Sequence, residues 1–305
     1  MNKVQQIEKM TNAPGFLAAL DQSGGSTPKA LSLYGINEND YSSDSQMYDL
    51  IHQMRCRIIR SAAFRGDRVI GAILFEKTMD REVAGCPVPD FLWQKKQIVP
   101  FLKIDKGLME EKHGVQLMKA MPDINELLIR AKSANIFGTK MRSLIHHANL
   151  AGIKNVVAQQ FEVANKIISH DLVPIIEPEV NIASPEKADA EQMLLEVLTL
   201  HLKDFKSENK VILKLTLPEK PNHYRQLASN AKVMRLVALS GGYSRRQANA
   251  MLSQNYDMVA SFSRALSEDL KVFQSDSDFD AILTRTVSEI FAASVSSKSE
   301  HHGNL

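Results

Sequence analysis

Cysteine is scarce in this sequence: Cys56 and Cys86 are the only two in 305 residues. Two thiols 30 positions apart are too few for a disulfide framework or a cysteine-built metal centre. They leave room for one bridge at most and fit a reducing compartment. No apolar run approaches the ~18 residues of a membrane-spanning helix. The opening residues, MNKVQQIEKMTNAPGF, have no apolar core of a secretory leader. A cytoplasmic protein with no membrane attachment is expected. An excess of one charge is also missing: 37 Lys and Arg against 35 Asp and Glu leave a net +2, spread along the chain, so no nucleic-acid footprint emerges. The nine histidines form no HxH or HExxH pattern, and His146 and His147 are adjacent where a helix would turn them different ways. No metal site is expected from them. Neither GxGxxG, GxxxxGK[ST] nor GxSxG occurs, which removes the common phosphate loops and the nucleophile elbow.

What is present is a folded composition, 44% hydrophobic and 24% charged. Eight short β-rich runs recur: GFLAALD (15–21), RVIGAILF (68–75), IVPFLKID (98–105), NIFGTKMR (135–142), LVPIIEPE (172–179), KVILKLT (210–216), RLVALSGG (235–242) and DMVASFSR (257–264). Amphipathic helical stretches such as 143–170 and 187–206 lie between most of them. Strand alternating with helix argues for parallel strands with helical crossovers, and eight such units in about 250 residues predict a closed (β/α)8 TIM barrel. The whole chain, 1–305, reads as one α/β domain, with a loose polar tail over 292–305.

Side chains alternate between the two faces of a strand, so parity says which groups share the barrel interior. In KVILKLTLPEK (210–220), Val211, Leu213, Leu215 and Leu217 fall on one face and Ile212, Lys214 and Thr216 on the other. A lysine in the middle of an apolar strand is therefore expected inside the barrel. Lys103 and Asp105 share a face with Phe101, Lys140 and Arg142 lie beside Gly138, and Glu177 and Glu179 share one face of their strand. Asp21 ends the first strand. These eight groups, four of each sign, sit near the C-terminal strand ends, where barrel active sites are assembled. Isolated buried ions cost several kcal/mol each, so a matched cluster implies pairing and use.

After the first strand, LDQSGGSTPKAL contains a turn leading into a helix near Pro28. After the seventh, Ser240, Gly241 and Gly242 precede Ser244-x-x-Gln247, a capping box. Free backbone N–H groups there would suit an anion, and Arg264 after strand eight could fork onto it.

The series LDQSGGS, LKIDKG, TKMR, VPIIEPEV, ILKLT, LSGGYS and SFSRAL resembles, in order and spacing, the class I fructose-bisphosphate aldolases, from about Leu17 to Leu270. That resemblance implies a (β/α)8 lyase without cofactor or metal that cleaves fructose 1,6-bisphosphate through a lysine Schiff base in glycolysis and gluconeogenesis. It implies Lys214 as the Schiff-base lysine, with Lys140, Glu177, Glu179 and Asp21 around it. It implies Lys103 and Arg142 as basic substrate-site residues, Ser240, Gly241, Gly242 and Arg264 at one phosphate, and Ser23 and Ser26 near the other. A homo-oligomer is implied too, of which a tetramer is one form. The chain departs from the animal members, which read ADES where it reads LDQS (20–23), carry arginine at Ala30 and tryptophan at Met141, and end in a mobile tyrosine; here the last tyrosine is Tyr256. These differences point to a shorter, bacterial-type branch. Two other readings stay open on sequence: a Schiff-base barrel aldolase or transaldolase acting on a different phosphorylated sugar, and a barrel that binds sugar phosphates without chemistry.

Overall fold

Runs that are apolar on both faces require cover on both sides, and in the computed structural model, which describes residues 3–296, they find it in a closed parallel sheet. The strands are β1 (Phe16–Leu20), β2 (Val69–Leu74), β3 (Val99–Lys103), β4 (Gly138–Ile145), β5 (Val173–Val180), β6 (Val211–Thr216), β7 (Val233–Leu239) and β8 (Met258–Phe262). Each pairs in parallel with the next in chain order. The last closes on the first through Leu17↔Ser261 and Ala18↔Phe262. The longer helices are α1 (Lys3–Asn12), α2 (Ser26–Tyr34), α3 (Asp44–Arg60), α4 (Ile124–Ser133), α5 (Leu150–Ser169), α6 (Lys187–Asp204), α7 (Arg245–Leu252) and α8 (Asp276–Ser296). This is the (β/α)8 barrel, in one domain, that the strand count predicts.

The core splits by strand parity. Leu17, Ala19, Val99, Phe101, Ile175, Ile212 and Val237 form the inner cluster, while Leu102, Ile104, Met141, Leu213, Leu215 and Leu217 pack outward with the helices. Inside, Phe101 meets Phe137 edge-on at 5.4 Å between ring centroids. Gly138 makes that possible, since a Cβ there would lie 2.2 Å from the Val173 carbonyl and 2.9 Å from the Phe101 ring. The N-terminal mouth is closed by α1. Its Met10 is fully buried in the inner cluster, and Arg235 of β7 donates to the Thr11 carbonyl at 2.5 Å and the Ala13 carbonyl at 3.1 Å. The C-terminal mouth is the end that opens into the cavity lined by strand-end charges.

Three expectations need correction or completion. The helical stretch expected over 143–170 begins at Leu150, because β4 stays paired with β5 as far as Ile145↔Val180, and Asn149 then caps the helix by accepting from the Gly152 N–H at 3.0 Å. Residues 292–296, expected in a loose tail, continue α8 with Ser294 buried; the remainder of that tail lies outside the described residues. Cys56 and Cys86 are both free thiols.

Candidate active site

The strand ends build the site. Lys140 of β4 lies 2.6 Å from Asp21 just past β1 and 3.0 Å from Glu177 of β5, and Glu177 in turn lies 3.1 Å from Lys214 of β6. The four groups form one chain of alternating charge, and none is more than 7% exposed. Burial pushes the Asp21 carboxyl up, but the ammonium groups of Lys140 and Lys214 outweigh it and hold it well below the usual carboxylate range. Burial likewise opposes charge on Lys140, yet Asp21, Glu177 and Asp105 together raise it above the ordinary lysine value. Lys140 is therefore a fixed cation at neutral pH.

Around this centre, Lys103 folds back onto Asp105, 2.7 Å from its carboxylate and 2.9 Å from its carbonyl. Arg142 is ion-paired with Glu179. For Arg142, burial lowers the guanidinium and Glu179 more than compensates, leaving it raised.

The strands carrying Glu177 and Lys214 part at the height where they act. The β5–β6 register ends at Ile176↔Leu213. Beyond it the Glu177 N–H is taken at 2.8 Å by the side-chain oxygen of Gln160, a buried residue of α5. The Thr216 hydroxyl spans the gap to Val180, accepting from its N–H at 2.8 Å and donating to its carbonyl at 2.9 Å. Beyond the end of β6, a buried Lys187–Glu191 pair on α6 holds the Leu217 carbonyl and the Glu219 N–H. The Glu177 N–H and the Val180 N–H and carbonyl thus keep partners across the gap, as buried backbone groups require.

A cavity of about 540 Å³ opens over these groups, within the range of small-molecule sites. Asp21, Ser23, Ser26, Lys103, Asp105, Lys140, Arg142, Glu177, Glu179, Lys214, Ser240, Gly241 and Arg264 all line it. Gly242 is not in the wall, but its α-carbon stands by Arg264: a Cβ added there would lie 3.5 Å from the guanidinium. Gly241 has φ +60°, and a Cβ would press to 2.6 Å from Ile182, so the turn needs glycine.

At the start of the following helix the N–H groups of Arg245 and Gln247 are already taken. Ser244 and Gln247 do form the capping box, and Glu268 accepts from the Arg245 N–H at 2.8 Å. The first turn of α7 is capped by its own side chains and by Glu268, which leaves the Ser240–Gly241 turn as the part of this loop that faces the cavity.

Among the described residues no group of three or more His, Cys, Asp or Glu could hold a metal ion, and no helix is long and apolar enough to cross a membrane.

No family model matches the chain. Two curated relatives match almost all of it. A fructose-bisphosphate aldolase class 1 of Synechocystis sp. is 55% identical over 291 residues, 95% of this chain and 97% of that protein. One of Porphyromonas gingivalis is 52% identical over 295 residues, 97% of this chain and 100% of that protein. The chain belongs to the class I fructose-bisphosphate aldolases.

As a member of that family it is a lyase that reversibly cleaves fructose 1,6-bisphosphate to dihydroxyacetone phosphate and glyceraldehyde 3-phosphate. Its fold also matches the fructose-bisphosphate aldolase of Plasmodium falciparum, solved in complex with TRAP and a small-molecule inhibitor, with TM-score 0.77 at 19% identity over 97% of this chain and 95% of that one. A protein of Corynebacterium glutamicum is a more distant fold neighbour, with TM-score 0.55 at 11% identity.

Several residues that sequence reasoning did not select also border or support this cavity. Gln22, Lys29, Ser261 and Ser263 line the cavity, and Gln160 and Arg55 act on it from the helices behind. Lys29 lay within reach of sequence, just after the Pro28 expected to open a helix; in the structure that helix already begins at Ser26, which puts Lys29 one turn further on.

Proposed function

We propose that Lys214 is the nucleophile of this aldolase and Glu177 its proton carrier. The supporting observation is the 3.1 Å contact between the Lys214 Nζ and a Glu177 carboxylate oxygen, both buried, at the floor of the cavity. Passing a proton from Lys214 to Glu177 frees the lone pair that attacks the C2 ketone of open-chain fructose 1,6-bisphosphate. The carbinolamine loses its C2 hydroxyl as water, protonated through Glu177, and leaves a protonated imine.

With the imine as electron sink, a carboxylate takes the C4 hydroxyl proton, the C3–C4 bond breaks, and its electrons pass into an enamine. Glu177, with Asp21 assisting, serves as that base. Glyceraldehyde 3-phosphate leaves, C3 is protonated, and water hydrolyses the imine to release dihydroxyacetone phosphate and restore Lys214. Lys140 remains charged throughout and stabilises the oxygen that develops negative charge in the carbinolamine. Glu179 steadies Arg142, which with Lys103 supplies positive charge to the substrate.

Ser240, Gly241, Gly242 and Arg264 would hold one phosphate, and Ser23, Ser26 and Lys103 the other, fixing the ketone near the amine. Borohydride reduction in the presence of dihydroxyacetone phosphate should leave a stable adduct on the peptide carrying Lys214. An adduct elsewhere, or none, rejects the assignment. We also propose, on the family resemblance, a cytoplasmic homo-oligomer; light scattering on the eluted peak would report its size.

A further inference from the structure

Among the described residues Arg55 is the largest fully buried side chain, 1% exposed, and the groups it bonds are neutral. It interrupts the apolar face of α3 made by Ile51, Met54, Ile58 and Ile59. Its guanidinium donates to the Thr78 hydroxyl at 2.7 Å, to the Gln22 carbonyl at 2.5 Å and to the Gln22 side-chain oxygen at 3.2 Å. A desolvated cation bonded to neutral acceptors is costly, so its retention calls for a use.

The geometry has a directional consequence. A guanidinium only donates, so the Gln22 amide must turn its oxygen toward Arg55 and its nitrogen away. That nitrogen donates at 2.8 Å to the Ser263 Oγ. With its oxygen engaged as acceptor, the Ser263 hydroxyl keeps its own hydrogen to donate. Gln22 and Ser263 both line the cavity, and Ser263 directly precedes Arg264. The relay ties together the loops that follow β2, β1 and β8.

We propose that Ser263 is a phosphate-binding residue, its hydroxyl set to donate to the phosphate at Arg264 through a relay in which Arg55 orients Gln22. This rests on the reading of the site as a sugar-bisphosphate site with Lys214 as nucleophile. Arg55 is a positioning residue in it and touches no substrate.

The test is a set of variants assayed for kcat and KM with fructose 1,6-bisphosphate and for borohydride trapping. Ser263→Ala should raise KM about tenfold with kcat within about twofold, the size of one hydrogen bond to a charged group. Ser263→Thr, which keeps the hydroxyl, should stay near the parent.

Gln22→Glu is the discriminating change. Its carboxylate would still accept from Arg55, but its second oxygen can only accept, so it would draw the Ser263 hydrogen away from the phosphate. KM should rise at least as much as in Ser263→Ala, the new charge adding its own repulsion of the phosphate, without loss of thermal stability. The added carboxylate also repels the phosphate whatever residue stands at 263, so the cycle uses the neutral Gln22→Met: because it and Ser263→Ala bear on the same bond, the two combined should be no worse than Ser263→Ala alone. Multiplying effects, or an unchanged KM in Ser263→Ala, would overturn the proposal. Arg55→Met should raise KM in the same way if it folds, and the Ser263 and Gln22 variants decide the matter if it does not. Absence of a Lys214 adduct in the parent enzyme would reject the catalytic reading instead, whereas an adduct together with an unchanged KM in Ser263→Ala would reject only the relay.

Discussion

Replacing Lys140 with methionine tests the electrostatic account most directly, because it removes the central cation and preserves most of the side chain's length and apolar packing. In the native chain two carboxylates, Asp21 and Glu177, face two ammonium groups, Lys140 and Lys214. In Lys140→Met two negative charges face one positive charge. Glu177 keeps its 3.1 Å contact with Lys214, but Asp21 loses the 2.6 Å partner that offsets its burial. Breaking a buried pair by removing one partner costs about 3–5 kcal/mol. That is a large share of the ~5–15 kcal/mol by which proteins of ordinary stability stay folded.

The pH dependence has a definite sign. Native Asp21 is held below its unfolded value, so its stabilisation is present above about pH 4 and fades as pH falls through the folded value. In the variant the burial of Asp21 is opposed only by the more distant Lys214 and Lys103, so the carboxyl should rise above the unfolded value and the penalty should grow as pH increases from about 4 toward neutrality. Urea unfolding of both proteins at several pH values from about 4.5 to 7.5 should show a gap that widens with pH. Adding Asp21→Asn to Lys140→Met should recover much of the loss, since the two sites share one interaction. A loss below about 1 kcal/mol at pH 7, or a gap independent of pH, would refute the reasoning.

Other consequences can be checked with the same preparations. Glu177→Gln keeps the shape of the proton carrier and removes its basicity, so kcat should drop by about 10²–10⁴ while KM changes little; single-turnover and steady-state rates would both show it. Gln160→Leu leaves the Glu177 N–H without its 2.8 Å acceptor, and should lower stability by ~1–3 kcal/mol and depress kcat more than KM. Chemical denaturation and initial-rate kinetics measure the two effects. EDTA should leave turnover unchanged, because Lys214 and Lys140 supply the electron sink and the positive charge; activity lost to EDTA and regained with a divalent ion would contradict the Schiff-base route.

Much of this protein could be read along the chain because its code is local. Two-residue periodicity puts Lys214 and Ile212 on one face of a strand and Leu213 and Leu215 on the other, and eight strand–helix alternations leave few folds besides a barrel. The strand-end charges Asp21, Lys103, Lys140, Glu177 and Lys214 were legible for the same reason: each sits on a strand, or directly after one, whose direction and parity are set by its own neighbours.

What needed the folded molecule is every relation across elements. That Lys140 stands between Asp21 and Glu177, with Lys214 beyond, depends on the stagger of closed strands, which no single strand encodes. The parting of β5 from β6 and its repair by Gln160 and Thr216 arise only when a helix docks beside them. Arg55 shows the limit most clearly. In sequence it is an arginine interrupting an apolar helix face, where a long side chain can equally reach solvent. Its role depends on how α3 is rotated against the barrel, and packing sets that rotation.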